Sequence, residues 1–588
     1  MENIKLKING IEVSAPKGST ILDAAHLAGV KIPTLCYFKE INEIGACRVC
    51  VVEVKGARNL VAACVHPATD GMEVLTATPQ LIKSRKKTLE LMLSAHDRRC
   101  LECVRSGNCE FQSMCQELGV EDSGFYDGDR PIHEIDTTAP HLIRDNNKCI
   151  LCRRCTSICE QRQHVAVIGP NNRGFDTVIG SPFEMGLGDT SCIHCGQCVS
   201  VCPTAALQEK PYIDEVLAAI ADPTKYVVVQ PAPSVRTALG EEFGYPIGTD
   251  VEGKMAAALR RIGFDGVYDT CFGADLTIME ESEEFRKRLI DGVGKMPMFT
   301  SCSPGWVSFC EHYYPELIEN LSSCKSPQQM FGAVAKTYYA TEKKIDPKDI
   351  VSVSIMPCTA KKYEAGRDDQ SAAGPGIPDV DYSITTRELA RMIRKVGLDF
   401  RNLPDEKFDD IMGDSTGAGV IFGASGGVAE AALRTLVARL ENKELKDVDF
   451  HAVRGMDGIK EATIHVAGKD VKIAVTSGMT NAKKILDQVR AGTSDYDFIE
   501  VMGCWGGCVA GGGQPHCDAE TWNHTDVRGL RAKVLYDIDV KREYRKSHKN
   551  PSIIKLYDDY LVGGPGADKA HHILHTSYKK RKVNEFLD

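Results

Sequence analysis

The chain has 588 residues, too many for one core, so several domains are expected, with ample material to bury a large one. Lys and Arg total 71 against 81 Asp and Glu, which disfavours nucleic acid or an anionic membrane as the main partner, because both need a net positive face. No apolar stretch approaches the roughly 18 to 20 residues that cross a bilayer, and Met1-Glu2-Asn3-Ile4-Lys5 lacks the charged-then-apolar order of a signal peptide, so the cytoplasm is the expected compartment and membrane insertion is not expected.

In that compartment structural disulfides are rare, and clustered cysteines mean metal. Sixteen of the 24 cysteines lie within the first 202 residues. The chain opens with two alternating runs around Asn9-Gly10, a hairpin signal, then Ser19 to Gly29, a capped helix stopped by glycine. Cys36, Cys47, Cys50 and Cys64 follow, with a turn from Gly45 to Cys50 whose small residues let backbone N–H groups approach sulfur. The set resembles the four-thiolate 2Fe-2S site of plant-type ferredoxins, although its first gap is ten residues rather than four. A four-cysteine zinc site is the alternative.

Thr78 to Ala95 reads as a helix opening with Thr78-Pro79 and carrying Leu81, Ile82, Leu89, Met92 and Leu93 near helical spacing. It delivers His96 beside Cys100, Cys103 and Cys109. Three cysteines so close make His96 the expected fourth ligand of a 4Fe-4S cluster, with Cys115 as the substitute. A neutral imidazole replacing an anionic thiolate changes the charge and potential of such a cluster.

Next comes an internal repeat of about 43 residues, Cys149-x2-Cys152-x2-Cys155-x3-Cys159 and Cys192-x2-Cys195-x2-Cys198-x3-Cys202-Pro203. In two-cluster ferredoxins the fourth cysteine of each run crosses to the other cluster. Cys149, Cys152, Cys155 and Cys202 are therefore expected to hold one 4Fe-4S cluster, and Cys192, Cys195, Cys198 and Cys159 the second. Glu160 stands where the pattern has proline. A row of such clusters carries single electrons between a buried site and a surface.

From Lys225 onward, short apolar runs alternate with helices. Tyr226–Val229, Met296–Phe299, Val351–Ile355 and Phe498–Val501 read as parallel strands covered on both faces. Each leads into an unusual loop: Gln230 to Ser234, TSCSPGW at 300–306, MPCTAKK at 356–362, and MGCWGGCVAGGG at 502–513. In open α/β sheets ligands bind beyond the carboxyl ends of strands, so these loops are expected to converge on one crevice. Cys302, Cys358, Cys504 and Cys508 are then four dispersed thiols, enough for one further cluster, though buried cysteines are also ordinary core residues. The glycines at 503, 506, 507 and 511–513 read as clearing side chains where backbone approaches a bulky cofactor.

These three motifs, the accessory cysteine sets and the tail Ser547-His548-Lys549-Asn550-Pro551 resemble iron-iron hydrogenases along essentially the whole chain. The resemblance implies an H-cluster: a 4Fe-4S cluster on the four thiols, with Cys508 bridging to a two-iron subsite carrying carbonyl, cyanide and an amine-containing dithiolate. Hydrogen is split or made there. By the same resemblance Lys361 pairs with a cyanide, Met356 and Met502 pack on the two-iron unit, and Pro231, Ala232 and Ser234 surround the cyanide and dithiolate. Glu281, Glu284, Ser322 and Arg288 match its proton path; read alone, Glu281 and Glu284 would be a solvated helix face. Much of the family has two adjacent cysteines in the first loop, one ligating and one relaying protons, whereas this chain has Cys302 followed by Ser303. Thiolate is the stronger iron ligand and a hydroxyl can still relay a proton, so ligation by Cys302 and relay by Ser303 are expected; strict positional matching reverses the roles.

The expected architecture is a multidomain α/β plus α+β chain: a β-grasp 2Fe-2S domain at 1–78, a 4Fe-4S domain with one His and three Cys ligands at 79–138, a two-cluster ferredoxin-like domain at 139–209, a large two-lobed α/β H-cluster domain at 210–515, and a small helical extension at 516–588. No G-x-G-x-x-G turn or flavin motif is evident, so flavin, NAD(P) and further 2Fe-2S sites belong on partner subunits. The variant first loop looks like the catalytic subunit of multisubunit NAD(P)-linked, anaerobic hydrogenases, some of which bifurcate electrons between ferredoxin and NAD(P). A ferredoxin-linked monomer, a non-catalytic electron-transfer subunit like the iron-sulfur arm of respiratory NADH dehydrogenases, and an iron-sulfur assembly protein are the competing readings. Cys271, Cys310, Cys324 and Cys517 read as structural thiols.

Overall fold

The computed structural model describes residues 2–121, 130–410, 412–441, 444–445 and 447–581. The first sheet is mixed, in the order Ile11–Pro16, Asn3–Ile8, Glu73–Leu75, Val51–Val54, Val61–Ala62. Asn9 and Gly10 both take positive φ, 50° and 82°, the turn that matches strand twist in a two-residue hairpin. The helix Ile21–Leu27 starts on a capping box between Thr20 and Asp23. The helix Pro79–Ala95 begins where expected, with Thr78 capping Leu81, and hands the chain to His96. It buries Leu81 and Leu89 but leaves Ile82 on the solvent side.

The cysteine-rich segments are welded together rather than strung out. One core joins Leu35, Cys36 and Val49 to Leu89, Phe111 and Met114 and to Ile150 and Cys152, residues from three successive motifs.

Among the described residues, those from 226 to 502 hold two four-stranded sheets. The first, Gly266–Val267, Tyr226–Pro231, Ile350–Met356, Tyr382–Thr385, is wholly parallel, and its two long strands are almost entirely buried. The second, Met298–Phe299, Phe498–Met502, Lys469–Ser477, Ile459–Val466, is parallel except for an antiparallel edge strand. All four expected strands form and divide two to each sheet; the hairpin Ile459–Ser477 was not foreseen, because its outer strand alternates only weakly.

Between the sheets runs the helix Thr270–Arg286, buried along most of its length despite its acidic sequence. Close approach explains part of this: a Cβ on Gly273 would lie 2.2 Å from the Pro327 carbonyl. Satisfied polar groups explain more. Asp275 accepts hydrogen bonds from Thr416, Ser547 and Asn550, so the Ser547–Pro551 segment pins the C-terminal helices onto this helix. Four helices, Ala519–His524, Val527–Lys541, Pro551–Asp559 and Asp568–Leu574, form that C-terminal part. Among the described residues no helix is long and apolar enough to cross a membrane.

Candidate active site

All 24 cysteines are free thiols. In the first set, Cys50 Sγ lies 3.3 Å from Cys64 Sγ, and the Cys47 amide donates to Cys36 Sγ at 3.5 Å. His96 sits beside Phe111, 8% exposed, with a buried Nδ1 that has no hydrogen-bond partner among the described residues. Burial pulls its pKa down to about 4, so the ring is neutral and keeps a lone pair for a metal. In the repeat, burial raises Cys155, helped by Cys152, Cys149 and Cys202; Cys198 is raised likewise, with Cys192 and Cys159 as its leading thiol neighbours. The fold thus brings the crossed fourth cysteines into these neighbourhoods.

The four strand-end loops meet around one cavity of about 80 Å³ between the two sheets. Cys302, Ser303, Cys358, Cys504 and Cys508 line it together with Lys361, Met356, Met502, Ala232 and Ser234. Pro231 ends its strand and is not part of the wall. Most of the remaining wall is apolar: Pro233, Ala274, Pro327 and Phe422. Burial raises all four thiols, Cys508 to about 12 and Cys302 and Cys504 well above the usual thiol range. Thiolates gathered here therefore call for positive charge among them, as a bound metal supplies. The Ser234 hydroxyl is buried with no partner among the described residues, a donor left for a ligand. These features fit an iron-sulfur group.

The adjacent residues Cys302 and Ser303 both line the cavity but interact differently. Glu281 is the foremost charged group acting on the Cys302 thiol. The Ser303 hydroxyl instead accepts from the Gly503 amide at 3.1 Å, one residue before Cys504. Ser303 is the residue preceding the helix Pro304–Tyr313, and its side chain makes no capping hydrogen bond to it.

Gly503, Gly507 and Gly511 line the cavity, so backbone does approach it there. Close loop packing is a second demand: a Cβ on Gly511 would lie 2.1 Å from the Pro357 carbonyl, one on Gly512 2.4 Å from the Cys195 carbonyl, and one on Gly507 2.6 Å from the Ser425 amide.

Polar contacts of three side chains lay outside the motif reading. Gln197, between two repeat cysteines, donates to Cys504 Sγ at 3.1 Å and to the Ala510 carbonyl at 2.9 Å. Thr359 donates to the His194 carbonyl at 2.7 Å. Lys361, 8% exposed, bonds Glu364 at 2.9 Å and the Cys302 carbonyl at 3.1 Å. A glutamine between ligand cysteines, where an apolar residue would pack as well, was the available signal.

Glu281 is 1% exposed, so the solvated-face reading fails for it. Both its carboxylate oxygens are buried without a hydrogen-bond partner among the described residues, and burial, with Glu284 adding to it, pushes its pKa up to about 8. Ser322 donates to Glu284 at 2.9 Å. Arg288 bonds Glu284 at 2.5 Å and the carbonyls of Leu321, Lys295, Asn320 and Glu319. Cys271, Cys310 and Cys324 are fully buried, and Cys517 is partly exposed.

Comparison with known proteins accounts for the whole chain. Residues 225–512 match the family described as iron only hydrogenase large subunit, C-terminal domain, and 525–581 match iron hydrogenase small subunit. Upstream, 1–79 match a 2Fe-2S iron-sulfur cluster binding domain, 85–124 the NADH-ubiquinone oxidoreductase-G iron-sulfur binding region, and 148–206 a 4Fe-4S dicluster domain. NADP-reducing hydrogenase subunit HndD of Solidesulfovibrio fructosivorans is 49% identical, covering 99% of this chain and 100% of that protein. Iron hydrogenase 1 of Clostridium pasteurianum is 42% identical over 97% of this chain and 99% of its own length. Among solved structures, a variant of the [FeFe]-hydrogenase HydA1 from Chlamydomonas reinhardtii superposes with a TM-score of 0.57 at 42% identity, covering 63% of this chain and 99% of that one. Likeness at this level, along the full length and through the cysteine-lined cavity, places the chain in the iron-only (FeFe) hydrogenase family, as an oxidoreductase acting on H2.

Proposed function

We propose that the chain is the catalytic subunit of a cytoplasmic, multisubunit NAD(P)-linked hydrogenase, with flavin- and NAD(P)-binding subunits as partners. One observation carries the catalytic reading: a largely apolar cavity lined by thiols from loops of both sheets, with Cys504 hydrogen-bonded to Gln197 of the ferredoxin-like repeat. The partner reading draws support from the full-length likeness to HndD, named as an NADP-reducing hydrogenase subunit. Ferredoxin is a further electron partner if the assembly bifurcates. In this reading the domains divide as the sequence analysis expects.

Cys358, Cys504 and Cys508 would hold the 4Fe-4S part of an H-cluster, Cys508 at the junction with the two-iron subsite. Bound there, the group supplies the centre at which H2 is cleaved or formed. The remaining work falls to the protein. Lys361 offers a point charge to an anionic ligand, and the Ser234 hydroxyl a donor. Ala232, Met356, Met502 and Phe422 keep water from the cavity. Charge facing and hydrogen bonding favour the positional match at the first loop: Cys302 as the proton donor toward Glu281, and the Ser303 oxygen at the fourth corner beside Cys504. Protons then pass between Cys302, Glu281, Ser322 and Glu284.

Electrons would travel through one 2Fe-2S site (Cys36, Cys47, Cys50, Cys64), a 4Fe-4S site (His96, Cys100, Cys103, Cys109) and the two sites of the repeat, entering the cavity at Gln197. The test is anaerobic purification with the two-iron cofactor installed, then hydrogen assays against a viologen dye, ferredoxin and NADH. Activity with viologen and, once co-purified subunits are added back, with NAD(P) is expected. A matured chain inert toward H2 overturns the catalytic reading; full ferredoxin-linked activity with no co-purifying subunit favours the monomer.

A further inference from the structure

The proposed proton path leaves open how protons get from Glu284 to water. Every oxygen of Glu284 is taken by protein donors: Arg288 and the Ser323 amide on one, Ser322, Ser323 and Cys324 on the other. Arg288 is the outermost of these, but it bonds four backbone carbonyls besides Glu284. A guanidinium so held does not release a proton at working pH. Ser323 has another neighbour. Its hydroxyl lies 3.3 Å from Glu284 and 2.8 Å from Nδ1 of His575, in the C-terminal part of the chain.

We propose that Ser323, His575 and His571 form an outlet branch of the proton path, carrying protons between Glu284 and solvent. This rests on the path proposed above. A carboxylic acid at Glu284 gives its proton to the Ser323 oxygen, and Ser323 gives its own to His575 Nδ1; the Glu284 O–H breaks, the Ser323 O–H is exchanged for a new one, and one N–H forms on His575. His575 is held for this. Its backbone pairs with Cys324, the Thr576 amide donates to the Ser323 carbonyl at 2.8 Å, and its Nε2 lies 3.1 Å from Glu280. Glu280 is wholly buried and fixed by the Tyr557 hydroxyl and the Gly566 amide. With Nε2–H turned to that carboxylate, Nδ1 is free to accept, and the resulting imidazolium stands against a negative charge.

The His575 side chain is 5% exposed, and the solvent-facing His571 ring stacks on it at 4.4 Å and 16°. The imidazolium discharges to water at that edge. The charged groups facing the pair are Glu280, Glu284 and Lys287 from the central helix and its last turn; Tyr557 comes from the neighbouring helix. Burial and His575 both lower the pKa of His571, so two positive rings do not coexist readily.

The test uses the full matured chain with dithionite-reduced viologen as electron donor. His575→Gln keeps the shape but cannot carry the proton. It should slow H2 formation about 100-fold, the low end of the usual range for losing a positioned proton carrier, with iron content and accessory-cluster EPR unchanged. Imidazole buffer should restore part of the rate in His575→Ala, and His571→Ala should shift the pH-rate profile. Parent-like rate and pH profile in His575→Gln, with Glu284→Gln inactive, overturns the branch and leaves the path standing. If Glu284→Gln is also fully active, the path itself falls. If His575→Gln loses its clusters, an unshifted pH profile in His571→Ala overturns the branch instead.

Discussion

Gln197 is the sharpest place to test whether the ferredoxin-like repeat couples directly to the catalytic cavity. Its side-chain amide is buried and donates to Cys504 Sγ at 3.1 Å. A hydrogen bond to a charged acceptor contributes about 1.5–3 kcal/mol. Most of that acts in both oxidation states of a cluster; about a third, roughly 0.5–1 kcal/mol, acts only on the extra negative charge of the reduced state. A one-electron potential moves 59 mV for each tenfold change in equilibrium, or 1.4 kcal/mol, so this difference is about 20–40 mV. The sign follows from the donor: an N–H stabilises the reduced form, and Gln197→Leu should lower the potential of the cluster on Cys504 by that amount. Gln197→Glu gives a second reading. Protonated, its carboxyl can still donate; ionised, it repels sulfur, so the potential should fall steeply as pH rises. EPR-monitored redox titration measures both. An unchanged potential in both variants, or a shift confined to the clusters of the repeat, refutes the coupling.

Gly512→Ala should force the Cys195 carbonyl, 2.4 Å from the new Cβ, back by about 1 Å at a cost of about 1–3 kcal/mol. Faster bleaching of iron-sulfur absorbance on warming and slower electron delivery to the cavity are expected. Arg434→Met strips a fully buried guanidinium from the buried Glu430 and Asp539, which should cost about 3–5 kcal/mol in urea midpoint measurements. Pairing it with Asp539→Leu should recover part of that loss. Glu281, held up at about 8, keeps its proton in the fold at neutral pH; the stability this gives is complete below its usual value of 4.5 and is lost as pH rises through about 8. H2 formation should fall over the same upper range. Glu281→Gln should lower the rate about 100-fold and remove that limb of the pH profile. Ser303→Cys should change the potential and EPR of the catalytic cluster and leave the pH profile alone, whereas Cys302→Ser should slow turnover and alter its pH dependence. The opposite pattern restores ligation by Cys302.

What the residues made legible was whatever they encode locally. The spacing in Cys149–Cys159 and Cys192–Cys202 lies within short stretches of chain, so three ligands of each expected cluster can be read without knowing the fold. The continuous apolar runs at 226–229 and 498–501 are likewise self-sufficient, and both became buried strands. Their division between two sheets was not written in either run, because parallel pairing depends on distant partners: Val227 beside Val351, and Ile499 beside Ala474. The burial of Glu281 needed tertiary context even more. Glu281 looks like a surface residue until helices close over it.

The glycine-rich loop and the Cys302-Ser303 pair resisted the sequence for one shared reason. Composition says that space is tight at 511–513 but not which atom occupies it, and the occupants are carbonyls of other loops, including one from the ferredoxin-like repeat. At the first loop, chemistry argued that the thiol should take the metal. The proposed reversal draws on local hydrogen bonding instead. Ser303 is the residue before a helix whose first position is proline, and its oxygen accepts from the Gly503 amide, while Glu281 is the leading charge raising the Cys302 thiol. Ligand strength is a property of the residue type, but which of two neighbours reaches the metal is a property of where the helix starts. In the proposed reading, a serine at the ligand position leaves the thiol free for proton work.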